Sequence, residues 1–211
     1  MRKANKSDKN KFINIIAESF NTNPSVNWVI KNDYKKTKRI KALADYTFEC
    51  SLMKGGAFIS TDETGIALCF KYNNKINIVA DCINQARLAI RAIGISRVPQ
   101  VLKREAYLKR QRPLSGEYLY FWFYGVTNEG IGKGAAKELK DNIFNLSEQT
   151  ELPIYLETSV LKNKNVYIRY GFEVYHSWVS KDKGVTIWFM RRFPKKNITN
   201  LNCTEPDKEL S

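Results

Sequence analysis

Residues 125–136 read GVTNEGIGKGAA, and a helical pattern begins at once behind them. Gly130, Gly132 and Gly134 alternate there with single residues. Glycines so closely spaced let a ligand or another segment come right up to the backbone. The first amides of a helix have no intrahelical partner and carry the positive end of its dipole. The stretch is therefore suited to an anion, and a phosphate is the natural occupant. Two familiar phosphate loops do not fit. Gly125 and Gly130 have the P-loop spacing, but Ile131 follows in place of Lys and Ser or Thr. The pair Gly130 and Gly132 lacks the third glycine of a dinucleotide-binding turn, because Ala135 stands there. A ligand-free strand-to-helix turn is the competing reading.

The elements that must hold this turn can be read from hydrophobic spacing. Residues 7–20 form a helix capped by Ser7, with Phe12, Ile16 and Phe20 on one face. NTNPS is a loop. A long helix spans 32–56, with Leu43, Tyr46, Cys50 and Met53 in one stripe, and Gly55 and Gly56 stop it. AFIST and GIALCFKY are strands around the turn DETG. Residues 76–112 make a helical insertion. Val79, Cys82, Ile83, Ala86, Ile90 and Ile93 keep the helical period there, and Pro99 sets off the basic segment VLKREAYLKRQR. A strand at 117–126 leads into the glycine stretch, and the next helix turns Ala136, Leu139, Ile143 and Leu146 inward. LPIYLETSV is a strand, NKNVYIRYGF a short helix ending at Gly171, and FEVYHSWVS and VTIWFMRRF form a hairpin around KDKG. Strands and helices mix without βαβ repetition, which predicts an α+β (mixed α/β) fold in one domain over 1–196. Residues 197–211 lack periodic apolar residues and read as a loose tail.

Two blocks together resemble the GNAT superfamily of N-acetyltransferases, whose acyl-CoA loop runs Gln/Arg-x-x-Gly-x-Gly/Ala after a strand. In register, the loop covers Ile131, Gly132, Lys133, Gly134, Ala135 and Ala136. Gly134 and Ala136 meet the pattern, while Ile131 replaces Gln or Arg and leaves the work to backbone amides. Downstream, Asn163, Tyr167, Gly171 and Phe172 meet the pattern Asn-x-x-x-Tyr-x-x-x-Gly-Phe. The resemblance spans roughly 7–193 and implies a central mixed β-sheet flanked by helices. It implies acetyl-CoA as acyl donor and an amine as acceptor, joined by direct attack without a metal. On this reading the amides from Ile131 to Ala136 hold the pyrophosphate. The pantetheine lies between strands 117–126 and 153–159 on backbone bonds from Gly125 and Val126, and an amide near Val126 serves the oxyanion. Tyr167 is implied as the proton donor to the leaving thiolate, and Asn163 as a pantetheine or loop contact. Glu157, near a strand end, is the candidate base, with a structural ion pair as its alternative.

The bulk numbers leave other classes open. A net charge of +14 attracts phosphates, so a nucleic-acid-binding or regulatory protein stays in play, as does a GNAT-like domain that binds CoA without catalysis. KKTKRIK and KREAYLKRQR could touch phosphates, yet on amphipathic helices they read as solvated faces. The four cysteines form no C-x-x-C pair and the single histidine is His176, so no zinc site is expected. Without a leader-like or membrane-length apolar run, a cytoplasmic protein with no membrane partner is the expectation. Tyr118, Tyr120, Trp122 and Tyr124 would share one face of the central strand as a partly apolar acceptor wall. A cationic chain is a poor host for polyamines. Oligomeric state is not legible.

Overall fold

A computed structural model describes residues 1–75, 77–180 and 184–195. The expected tail at 197–211 and most of the turn KDKG lie outside these. One sheet runs in the order β1-β2-β3-β4-β5-β7-β6. Its strands are β1 (Arg2–Lys3), β2 (Ala57–Ile59), β3 (Gly65–Lys71), β4 (Leu119–Val126), β5 (Ile154–Thr158), β6 (Glu173–Val179) and β7 (Thr186–Arg192). Neighbours are antiparallel except β4 and β5, which run parallel. The helices are α1 (Lys9–Ser19), α2 (Pro24–Val29), α3 (Lys36–Met53), α4 (Ile78–Leu88), α5 (Val98–Gln111), α6 (Ala135–Thr150) and α7 (Leu161–Arg169). Among the described residues no helix is long and apolar enough to cross a membrane.

Both faces of the sheet are covered. On one, Phe12 and Ile16 of α1 and Ile40 and Phe48 of α3 pack on Ile59, Ile66, Leu68 and Phe123. On the other, Leu139 and Ile143 of α6 pack on Ala67, Leu119, Phe121, Ile154 and Leu156. Fully burying each such side chain contributes about 1.5–3 kcal/mol before conformational entropy is set against it. The mixed architecture expected from the sequence is the one found.

Local departures have physical causes. The first helical turn is capped by Asn5, not Ser7: Asn5 Oδ1 accepts from the Ser7 amide and the Asp8 carboxylate accepts from the Asn5 amide. NTNPS does not stay a loop, because Asn23 caps and Pro24 opens the short helix α2. In α6 it is Ala135 that turns inward, while Ala136 is exposed. The insertion is helical as expected, but of its apolar stripe it is Ile93 at the far end that is buried, and the rest does not face the core. Helix α4 buries none of its residues, and Val79, Ile83 and Ile90 are 69%, 48% and 63% exposed. Ala80, Asp81, Asn84 and Leu88, one residue step or about 100° around the helix, form its half-buried line instead.

Candidate active site

The strand, loop and helix around the glycine stretch are tied together from several sides. Asn128 donates its amide to Glu18 at 2.8 Å, and Ser19 donates its hydroxyl to the Val126 carbonyl at 2.9 Å. The end of α1 thus fixes where β4 enters the loop. Gly130 is required by crowding, since a Cβ there would meet Thr64 Oγ1 at 2.4 Å. Gly134 is required by conformation: it starts α6 with φ +97°, and the space around it is open. Within the loop the amide of Ile131 donates to Asn128, and that of Lys133 to Gly130. The amides of Gly132, Gly134, Ala135 and Ala136 have no partner among the described residues, and the helical ladder begins only with Glu138 donating to Gly134. Four of the six residues expected to form the anion site therefore present open donors, and Ile131 and Lys133 do not.

Beside the loop the sheet opens. Strands β4 and β5 are in register only at Leu119 with Ile154 and Tyr120 with Tyr155, although both continue toward the loop. In an antiparallel pair, alternate residues turn their amides to the partner strand. Thr127 donates to Thr64, and Gly125 lies opposite Ile66 two residues earlier. Gly125 therefore directs its amide and carbonyl to β3, and Tyr124 and Val126 direct theirs to the gap. Since the Val126 carbonyl is taken by Ser19, its amide is the free group. Of the two residues expected to offer backbone bonds here, Val126 turns its amide to the gap and Gly125 turns its own to β3.

A β-bulge at Trp122 reshapes the aromatic strand. The pairing moves from Cys69 opposite Phe121 to Leu68 opposite Phe123, with Trp122 the extra residue. Tyr118, Tyr120 and Trp122 share one side, but Tyr124 crosses to the α6 face, where its hydroxyl donates to the Ala136 carbonyl. The single four-residue aromatic face expected from period-two alternation is broken by this one residue.

The bulge and the gap border a cavity of about 240 Å³. Asn163 and Tyr167 reach it from α7. Asn163 is the third residue of that helix, which Val160 precedes, so it is not the cap. The Tyr167 ring packs on Phe172 with centroids 5.4 Å apart, its hydroxyl has no hydrogen-bond partner among the described residues, and burial pushes its pKa up. Gly171, at φ +86°, closes the helix behind it. The aliphatic floor comes from Leu43 of α3 and from Leu88, Ile93 and Val101 of the insertion. Phe20, Tyr46, Trp122 and Phe123 add aromatic wall.

One end of the cavity is charged. Glu157 on β5 accepts from Arg112 Nε at 2.8 Å and Nη2 at 3.1 Å, and the Tyr120 hydroxyl donates to the same carboxylate. Its oxygens are engaged in an ion pair with Arg112 and a hydrogen bond from Tyr120. Arg104 is buried between indoles, 4.8 Å above Trp28 and 5.9 Å from Trp178, with Nη2 donating to Ser25 at 2.5 Å. Burial lowers its pKa. Glu105 lines the same cavity.

Arg104, Glu105 and Arg112 were not singled out from the sequence, because KREAYLKRQR reads as a solvated basic face. The available signal was spacing: Arg104 falls between the buried Val101 and Leu108 on one helical side. Lys103, Lys109 and Arg110 do face solvent. His176 does not line the cavity and shares a hydrogen bond with Tyr107 at 2.9 Å.

No family model matches the chain. The uncharacterized N-acetyltransferase C550.08 of Schizosaccharomyces pombe (strain 972 / ATCC 24843) is 34% identical over 94 residues, which are 44% of this chain but only 38% of that protein. A structure of histone acetyltransferase HPA2 and related acetyltransferase from Corynebacterium glutamicum superposes with a TM-score of 0.65 at 16% identity, covering 92% of this chain and 94% of that one. Arylalkylamine N-acetyltransferase 2 from Aedes aegypti gives 0.61 at 14% identity, covering 91% and 97%. With a sheet that opens between its parallel strands above a helix-starting glycine loop, the chain has the fold of the GNAT N-acetyltransferases.

Proposed function

We propose that the protein transfers an acetyl group from acetyl-CoA to a small primary amine with an apolar body, by direct attack in a ternary complex. One observation carries this reading. An unpaired stretch of β4 and β5 and the unpartnered hydroxyl of Tyr167 border one cavity, and the open amides at the start of α6 stand beside it, where the cavity-lining Tyr124 donates its hydroxyl to the Ala136 carbonyl. The amides of Gly132, Gly134, Ala135 and Ala136 bind the pyrophosphate. The pantetheine pairs with the gap-facing backbone of β4, and Asn163 contacts it from α7. The Val126 amide faces the thioester oxygen as it becomes negative. Tyr167 donates its hydroxyl to the departing thiolate. In this scheme Glu157 anchors Arg112 and Tyr120 and shapes the polar end of the cavity. Residues 1–196 act as a single catalytic domain.

The acceptor class follows from the lining. Aliphatic and aromatic side chains dominate, and the insertion closes the floor, so a compact amine fits where a long polycation does not. The name of the Aedes aegypti neighbour, an arylalkylamine N-acetyltransferase, points the same way.

Calorimetric titration with acetyl-CoA tests the donor half of the proposal. Micromolar affinity is expected, with displacement by CoA. At a hundredfold excess over Kd the ligand should stabilise the fold by about 2.7 kcal/mol. For a chain of this size that raises Tm by about 5–11 °C. No heat, no Tm shift and no competition by CoA would remove the proposal.

A further inference from the structure

An amine acceptor arrives protonated at neutral pH, since an alkylammonium has a pKa of about 10.4, and it must lose that proton before its lone pair can attack. Among the described residues two carboxylates line the cavity, Glu105 and Glu157. Glu157 is held by the Nε and Nη2 of Arg112 and by the Tyr120 hydroxyl. Among the described residues Glu105 has a single polar contact, Arg104 Nη1 at 3.4 Å, at the outer limit of a hydrogen bond. Arg104 gives its other amino group to Ser25 and is flanked by Trp28 and Trp178, so it does not saturate Glu105. The Glu105 side chain lines the cavity and is 47% exposed.

Resting on the acetyl-transfer reading above, we infer that Glu105, reaching from the insertion helix α5 into the cavity, holds the acceptor ammonium and takes its proton. Surrounding protein raises the Glu105 carboxyl above the ordinary glutamate value of 4.5, against the opposing charges of Arg104 and Arg112, with Glu157 raising it further. Tyr46 of α3 also feels its charge. A carboxylate with a raised pKa is a stronger base.

The protons balance. The ammonium gives one proton to Glu105, which passes it to solvent through its exposed side. The freed lone pair forms the C–N bond to the thioester carbon, and the C–S bond breaks as the tetrahedral species collapses. The second nitrogen proton is lost in forming the amide and replaces the one Tyr167 delivers to the thiolate. The sum is ammonium plus acetyl-CoA giving amide, CoA thiol and one released proton.

The test compares Glu105→Gln with Glu157→Gln and the parent protein, using phenethylamine as acceptor and the pH dependence of kcat/KM as readout. The parent should show an acidic limb with an apparent pKa above 4.5, then a plateau. In Glu105→Gln that limb should vanish, and the rate should instead climb toward the pKa of the amine itself. The loss at pH 7 should be about 100- to 1,000-fold with acetyl-CoA affinity unchanged. Glu105→Asp should keep the limb. A second arm titrates phenethylamine into the protein without acetyl-CoA and reads the Glu105 contact independently of any turnover, so that failure of acetyl transfer is seen separately. Weakening by at least about tenfold in Glu105→Gln supports the contact. An equal loss at every pH, a limb that survives in Glu105→Gln but disappears in Glu157→Gln, or unchanged amine affinity in Glu105→Gln would overturn the assignment.

Discussion

Gly134→Glu should lose acetyl-CoA binding by at least about 100-fold while the protein still folds. The new carboxylate stands at the start of α6, where an acidic residue suits the helix dipole, so charge alone does not unfold the helix. It occupies the open space in front of the amides of Gly132, Ala135 and Ala136 and repels the pyrophosphate. Two lost hydrogen bonds to a charged phosphate, at about 1.5–3 kcal/mol each, account for the size of the effect. A side chain at φ +97° is also strained, by about 1–3 kcal/mol. Gly134→Ala separates the two contributions, because it carries the strain without the charge and should weaken binding far less. Calorimetry on both variants, with circular dichroism as the folding check, decides it. A folded Gly134→Glu that binds normally would place the phosphates elsewhere.

Tyr167→Phe should slow turnover about 10- to 100-fold, or roughly 1.4–2.7 kcal/mol of transition-state stabilisation. General acids often contribute more, but two features hold the effect to the low end. A thiolate with a parent pKa of about 8.5 is a tolerable leaving group. Burial also raises the Tyr167 hydroxyl, so it is always protonated but gives up its proton reluctantly. Phenylalanine keeps the packing against Phe172 and removes only the donor, so acetyl-CoA affinity should barely move. Tyr170→Phe is the control: it lies three residues on, with its ring against Phe144 and outside the cavity lining, and should leave turnover nearly intact. Initial rates at matched folding stability are the readout. Equal losses in both variants would leave Tyr167 as a packing residue.

What the sequence disclosed about this site was local, and what it withheld was long-range. The loop was legible because crowding and backbone conformation demand glycine at Gly130 and Gly134 whatever the rest of the chain does. Tyr167 and Asn163 stood out through a spacing held within one short helix. The bulge at Trp122 was not legible, because the unequal pairing that creates it depends on β3, some fifty residues upstream. The same limit hid the cavity floor. Period alone identifies the stripe Val79, Ile83 and Ile90 but does not say which side of α4 meets α3, and the chain turned that stripe outward. Arg104 and Arg112 look like surface cations until Trp28, Trp178 and Glu157 are brought to them from elements distant in sequence.

The central claim is acetyl transfer to an amine, and the direct test is release of CoA thiol from acetyl-CoA across a panel of amines, with the product weighed by mass spectrometry. The panel should include phenethylamine, hexylamine, a lysine peptide, an aminoglycoside and spermidine. The account predicts amine-dependent thiol release matched one for one by N-acetylated product, fastest with the compact apolar primary amines. Acetyl-CoA bound but no thiol released above the amine-free background with any amine would contradict it.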